Sequence, residues 1–211
     1  MKTLSLVDAG DNDGVIDTAV TSLRGGGVIV YPTDTVYGLG ADATNEDAVG
    51  LVRRLKGRED DKPILALVSD MNMLEAYAYV TPLAHALAHT FLPGPLSLVL
   101  TAKDTQLQPV MSPDESVGFR MPAHPISLAL AKGLGRPITS TSVNRSGQPQ
   151  PRQLEAMIDQ LATQERDNLD IVIDNGELKA SPPSTIIDAR GEKAIVLREG
   201  AILRTALSTF L

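Results

Sequence analysis

Two stretches of this chain concentrate side chains able to hold anions and orient a nucleophile. The first, YPTDTVYGLG at residues 31–40, precedes a helical pattern that ends by delivering Lys56 and Arg58, with Lys62 close behind. The second, TSTSVNRSG at 139–147, is dense in hydroxyls. Hydroxyls and glycines let a ligand approach closely, Arg offers a bidentate fork, and Lys a mobile point charge. Paired as KxR (Lys56, Arg58) and SxN (Ser142, Asn144), the two stretches supply cations and neutral hydrogen-bonding groups. That combination can hold a polyanion and position a nucleophile. Plainer roles exist for each residue. Lys and Arg favour a helix C-terminus through its dipole, the hydroxyls of 139–142 can end a strand and cap a turn, and Arg120 or Arg198 can pair with a surface carboxylate such as Glu199.

The surrounding pattern must bring these stretches together. Val15, Ile16, Ala19, Val20 and Leu23 recur at helical spacing after Asp13, and the glycines at 25–27 end that helix. Residues 28–31 form a short buried strand stopped by Pro32, so the loop at 33–40 leaves a strand's C-terminal edge, where α/β sheets bind ligands. Thr44 or Asn45 caps the next helix, whose apolar face is Ala48, Val49, Leu51, Val52 and Leu55. This places 56–62 in an exposed returning loop. Further strands are expected at 64–68, 96–101, 117–121 (carrying Arg120), 171–173, 184–188 and 194–197, with helices at 71–79, 82–91, 126–132 and 154–162. The polar loop at 103–115 is expected to be mobile. Alternating strands and helices imply an α/β fold, a single domain over residues 1–211 with a twisted mixed, largely parallel sheet flanked by helices and a concave basic pocket. No separate C-terminal domain is expected.

Composition narrows the chemistry. A chain of 211 residues, 43% hydrophobic, suffices for one sizeable core. A net charge of −7 disfavours a broad basic surface, so any anion site is a local concentration of Lys and Arg. The absence of cysteine removes disulfides, thiolate catalysis and cysteine-ligated metals. No stretch has the length and apolarity of a membrane span, and a cytoplasmic protein with no membrane partner is expected. His85 and His89 have a metal-ligand spacing but lack an HExxH glutamate and a third ligand, so no protein metal site is predicted. The chain also lacks a GxxxxGK[ST] phosphate loop.

In order, the segments GGGVIVYPTDTVYGLGADA, LKGREDDKP, FLPGPLSLVL, VGFRMPAHP, PITSTSVNRSG, PSTIIDAR and VLREGA resemble the YrdC/TsaC family of L-threonylcarbamoyladenylate synthases across nearly the whole chain. The resemblance implies a YrdC-like fold, similar to that of DHBP synthase. It implies formation of threonylcarbamoyl-AMP and pyrophosphate from L-threonine, bicarbonate and ATP, with Mg2+ accompanying the ATP. The product would pass to a downstream tRNA threonylcarbamoyl-transferase complex that modifies the adenosine beside the anticodon, with a weak tRNA contact as a further expectation. By motif position, Thr35, Arg120, Ser140 and Ser184 look like the threonine-binding set. Arg58, Lys62, Ser116, Ser142, Asn144 and Arg198 look like the ATP-binding set, and Lys56, Arg58, Ser142 and Asn144 like the catalytic signature. Members often carry a His near position 67, where this chain has Leu67. The competing expectation is a fold-retaining relative that binds RNA or handles another carbamoyl compound.

Overall fold

The structure, a computed structural model, describes residues 1–6, 12–57, 63–151, 153–179 and 181–211. Its elements begin with β1 (Lys2–Ser5), α1 (Asp13–Arg24), β2 (Val28–Tyr31), β3 (Gly38–Gly40), α2 (Glu46–Lys56) and β4 (Leu65–Leu67). They continue with α3 (Met71–Tyr77), β5 (Ala78–Tyr79), α4 (Pro82–Phe91), β6 (Leu96–Ala102), β7 (Ser116–Arg120) and α5 (Pro125–Leu134). The chain then forms β8 (Ile138–Ser142), α6 (Leu154–Asp159), β9 (Leu169–Asp174), β10 (Thr185–Asp188) and β11 (Ile195–Arg198).

Eleven described strands make one sheet in the order β1-β9-β2-β3-β8-β4-β7-β6-β10-β11, with β5 beside β6. The sheet is mixed, as expected, but not largely parallel. β3 pairs antiparallel with both β2 and β8, β8 with β4, and β6 with β7. Parallel pairing is confined to β1–β9, β9–β2, β4–β7 and β6–β10. The connection from β2 to β3 is too short for a parallel crossover, and that forces the antiparallel insertion.

Alternation along β2 explains why the sheet is covered on both sides. Ile29 and Tyr31 join Val15, Ala19, Val20 and Leu23 of α1 and Ile126, Leu130 and Leu134 of α5 in one buried cluster. Val28 and Val30 join Val49, Val52 and Leu55 of α2 in the larger one. The side chain of Asn45 caps α2 by accepting from the Ala48 amide at 3.1 Å.

Two local features differ from the expected pattern for physical reasons. Lys56 does not lie in an exposed loop. It is the last residue of α2 and only 2% exposed. The 103–115 segment contains a 3-10 helix, Thr105–Val110, capped by Asp104 at the Gln106 amide (2.8 Å). Leu107 and Val110 are buried beneath it, and Arg53 of α2 donates to the Pro109 carbonyl at 3.1 Å. Pro109 and the polar neighbours hide two apolar anchors that tie this segment down.

Candidate active site

Strand alternation builds the site. On β7, Ser116, Gly118 and Arg120 project to one face, while Val117 and Phe119 enter the larger core cluster. On β8 Ser140, Thr141 and Ser142 all reach the cavity, and along β10 the same face carries Ser184, Ile186 and Asp188. With Thr33, Thr35, Val36, Tyr37 and Gly38 above them and Leu197 and Arg198 of β11 at the far end, these residues line an open cavity of about 730 Å³. That volume accommodates a nucleotide-sized ligand.

The loop leaving β2 is held by its own hydroxyls. Thr33 Oγ1 donates to the Val36 carbonyl at 2.6 Å and accepts from the amides of Thr35 and Val36, both at 3.2 Å. This fixes Thr35, whose hydroxyl accepts from Arg120 Nη2 at 2.6 Å. Arg120, 5% exposed, also forms an ion pair with Asp34 from the same loop. One oxygen of that carboxylate, Oδ2, and Arg120 Nε are buried without a partner. The pair therefore retains hydrogen-bonding capacity that a ligand could use.

Gly38 and Gly40 are required by close approach rather than by backbone angle. Neither has positive φ. A Cβ at Gly38 would lie 2.7 Å from Tyr31 Cζ, and one at Gly40 2.6 Å from Tyr31 Cε1. The fully buried Tyr31 ring lies against both glycines, and its hydroxyl donates to the Thr139 carbonyl at 3.0 Å. Burial pushes the Tyr31 phenol up to about 12, so it remains a neutral donor.

The Lys56 of the KxR pair reaches the SxN residues. Its Nζ donates to the Ser142 carbonyl, to the Asn144 carbonyl at 3.0 Å and to Asn144 Oδ1 at 3.1 Å. The Ser142 hydroxyl donates to the same Asn144 Oδ1, and Asn144 Nδ2 donates to the carbonyls of Arg145 (3.1 Å) and Gln148. Neither Lys56 nor Asn144 lines the cavity, whereas Ser142 does. Lys56 and Asn144 thus lie behind the turn that carries Ser142. Arg58 and Lys62 lie outside the described residues.

At the far wall, Arg198 donates to the Ser184 carbonyl at 2.7 and 3.2 Å and to Ser184 Oγ at 3.3 Å. Ser184 Oγ also shares a hydrogen bond of 2.9 Å with the buried Ser97 hydroxyl. Arg198 makes no ion pair with Glu199 or with any other carboxylate among the described residues. Its residue surface is exposed, but partial desolvation of the head, followed by the charge of Arg120, lowers its pKa from the ordinary value. The guanidinium groups of Arg120 and Arg198 therefore act on the same cavity. Thr35, Ser116, Arg120, Ser140, Ser142, Ser184 and Arg198, all named from the sequence, line this one space.

Sequence reasoning missed Asp34, Ser97, Asp114, Asp188 and Arg190. The last three meet at the cavity mouth, where Arg190 pairs with Asp188 at 2.7 Å and with Asp114 at 2.8 Å. Leu67, at the position of the expected histidine, is fully buried with Tyr31 and Ile138 and does not line the cavity. Among the described residues no group of three or more His, Cys, Asp or Glu could hold a metal, and no helix is long and apolar enough to cross a membrane.

Comparison with known proteins gives a consistent result. The Sua5/yciO/yrdC family model, described as "Telomere recombination", matches residues 21–200. A threonylcarbamoyl-AMP synthase of Bacillus subtilis is 35% identical over 202 residues, covering 95% of this chain and 57% of that protein. One from Vibrio vulnificus is 34% identical over 188 residues, covering 88% of this chain and 98% of its own length. The crystal structure of Pyrococcus abyssi Sua5 complexed with L-threonine superimposes with a TM-score of 0.87 at 31% identity, over all of this chain and 61% of that one. This chain thus spans little more than half of the Bacillus and Pyrococcus proteins and nearly all of the Vibrio one.

Proposed function

The chain belongs to the Sua5/YciO/YrdC family, and on that premise we propose that it is a threonylcarbamoyl-AMP synthase, an ATP-dependent nucleotidyltransferase. The threonine amine attacks bicarbonate, and loss of water leaves an N-carboxylate. An oxygen of that carbamate attacks the α-phosphorus of ATP, the bond to the β-phosphate breaks, and pyrophosphate leaves with the negative charge. All three reactants approach as anions or zwitterions, so their mutual repulsion is the main obstacle to gathering them.

The observation that carries this reading is the pairing of Arg120 and Arg198 across one hydroxyl-lined cavity, with Arg198 lacking a carboxylate partner among the described residues. Arg120, Thr35, Ser140 and Ser184 form the proposed threonine end, and the guanidinium of Arg120 receives the amino-acid carboxylate while Asp34 fixes its orientation. Arg198, Ser116 and Ser142 form the proposed nucleotide side, to which the reading adds Arg58 and Lys62. Lys56 and Asn144 hold Ser142 in place. Magnesium enters as the counter-ion of ATP. Asp114 and Asp188, the carboxylates of the cavity wall, both pair with Arg190. The setting for this reaction is the cytoplasm, and the product goes to a tRNA-modifying transferase complex.

Pyrophosphate release from Mg–ATP, measured with L-threonine and bicarbonate singly and together, tests the proposal. Release should require both. Arg198→Ala should weaken ATP binding about tenfold, the scale of a charge-assisted contact at a partly solvated site, and leave the melting temperature nearly unchanged. Release without threonine, or an unaltered ATP affinity in Arg198→Ala, would refute it.

A further inference from the structure

Arg190 and Ser116 both line the cavity, and both spend a donor on the same carboxylate. Ser116 Oγ donates to Asp114 Oδ1 at 2.6 Å, and the Ser116 amide approaches the same oxygen at 3.3 Å. Arg190 Nη1 donates to Asp114 Oδ2 at 2.8 Å. Asp114 is thus gripped by a hydroxyl, an amide and a guanidinium edge, the donor set that would receive a phosphate.

The two ends of this arrangement differ in how firmly they are fixed. Arg190 is oriented from behind by Asp188, which accepts from Nε at 3.0 and 3.2 Å, from Nη2 at 2.7 Å and from the Arg190 amide at 3.1 Å. Ser116 is 5% exposed and begins β7. Asp114, by contrast, has 55% of its side-chain surface in solvent and sits in a turn closed by Glu115 N to Ser112 O at 3.0 Å. Between it and Ser116, Glu115 has φ 60°, the left-handed region that a residue with a side chain occupies uphill. The donors are rigid and the acceptor is on the outside of a turn. If one partner is to be exchanged, it is Asp114.

We propose that Asp114 is an internal stand-in for a phosphate group: in the free protein it occupies a nucleotide subsite formed by Ser116 and Arg190, and the phosphate chain of ATP displaces it. This rests on the reading above that Ser116 faces the nucleotide. Arg190 becomes a third guanidinium of the cavity, beside Arg120 and Arg198, with Nη1 turned to the ligand while Asp188 keeps Nε and Nη2. The displaced carboxylate needs no new partner, because it moves into water. Asp114 also sets a discrimination. A single phosphate or free threonine gains too little at this subsite to displace the carboxylate, while the phosphate chain of ATP, anchored elsewhere in the cavity, can.

The test is calorimetric titration of Mg–ATP, and separately of L-threonine, into the wild-type protein and the variants Asp114→Asn, Asp114→Ala, Arg190→Ala and Asp114→Ala/Arg190→Ala, with thermal melting to check folding. Removing an internal competitor of this exposure should tighten ATP binding about two- to fivefold. Arg190→Ala should weaken it by a similar factor, the double variant should show no gain over Arg190→Ala alone, and threonine affinity should stay constant throughout. If both Asp114 variants bind ATP more weakly while remaining folded, Asp114 is scaffold and the inference falls, even where threonine- and bicarbonate-dependent pyrophosphate release stands. If that release is absent but the Asp114 variants still gain ATP affinity through Arg190, the synthase reading falls and the subsite stands.

Discussion

Replacing Lys56 by methionine should unfold this protein more readily before it does anything specific to catalysis. Methionine retains most of the aliphatic stem, so the loss falls on the ammonium. That group serves the Ser142 carbonyl, the Asn144 carbonyl and Asn144 Oδ1, in a residue only 2% exposed. Each buried acceptor left without a donor costs about 1–3 kcal/mol, and removing one member of a buried charged network costs about 3–5 kcal/mol overall. For a chain of this size that lowers the melting temperature by about 6–20 °C. Urea unfolding and scanning calorimetry on Lys56→Met measure the loss, and ATP titration well below the new transition measures the function. Because Lys56 holds the turn that presents Ser142, ATP affinity should fall in the folded variant as well. A melting temperature within about 2 °C of wild type, with ATP binding abolished, would refute the reasoning and make Lys56 a direct ligand contact.

Gly40→Ala places a methyl 2.6 Å from a Tyr31 ring that cannot shift without losing its bond to Thr139. It should cost about 1–3 kcal/mol in urea unfolding, and a change below about 0.5 kcal/mol would contradict this packing account. His124 contributes a pH dependence. Burial lowers its pKa below the ordinary 6.5, against the smaller opposing pull of Asp34, so the unfolded chain binds the proton more readily. Its contribution makes stability decline as pH falls below 6.5 towards the depressed folded value. His124→Gln should flatten the melting-temperature profile between pH 6.5 and 5, and an unchanged slope would remove this assignment.

What could be read from the residues follows how locally each role is decided. The capped helix starting after Asn45 and the strand at Val28–Tyr31 are set by neighbours within a few positions, and both are found where expected. The hydroxyl run at 139–142 lies within strand β8, where Ser140, Thr141 and Ser142 reach the cavity while Thr139 turns back to bond Leu39 and Ala41. Lys56 was misread because a lysine after an amphipathic helix has the pattern of a solvated helix end. Only the return of the chain 86 to 88 residues later, bringing Ser142 and Asn144, makes it buried. Asp34 looked like a turn residue for the same reason, its partner Arg120 being 86 positions away. The contact between Asp114 and Arg190 spans 76 positions and leaves no local trace. Sheet polarity was hidden because Gly38–Gly40 was read as part of the loop after β2, and with β3 unseen its antiparallel pairing to β2 and β8 had no place in the pattern.

Compensation of charge in the cavity follows exposure, and this connects the acidic chain to an anion-binding role. Arg120, 5% exposed, carries a carboxylate from its own wall, because a buried guanidinium without one would be prohibitively costly. Arg190, with about a third of its side chain in solvent, is held by the partly covered Asp188 and the exposed Asp114. Arg198, exposed as a residue, is held among the described residues by the oxygens of Ser184 alone. Water can leave Arg198 and Asp114 can leave Arg190, whereas Asp34 has no comparable exit from Arg120. An incoming polyanion is thus received from the rim inwards, and the deepest cation, already neutralised, is left to orient a group rather than to attract it. Net attraction at the mouth and positioning at the base is the division of labour that the proposed synthase reaction, with its three mutually repelling reactants, requires.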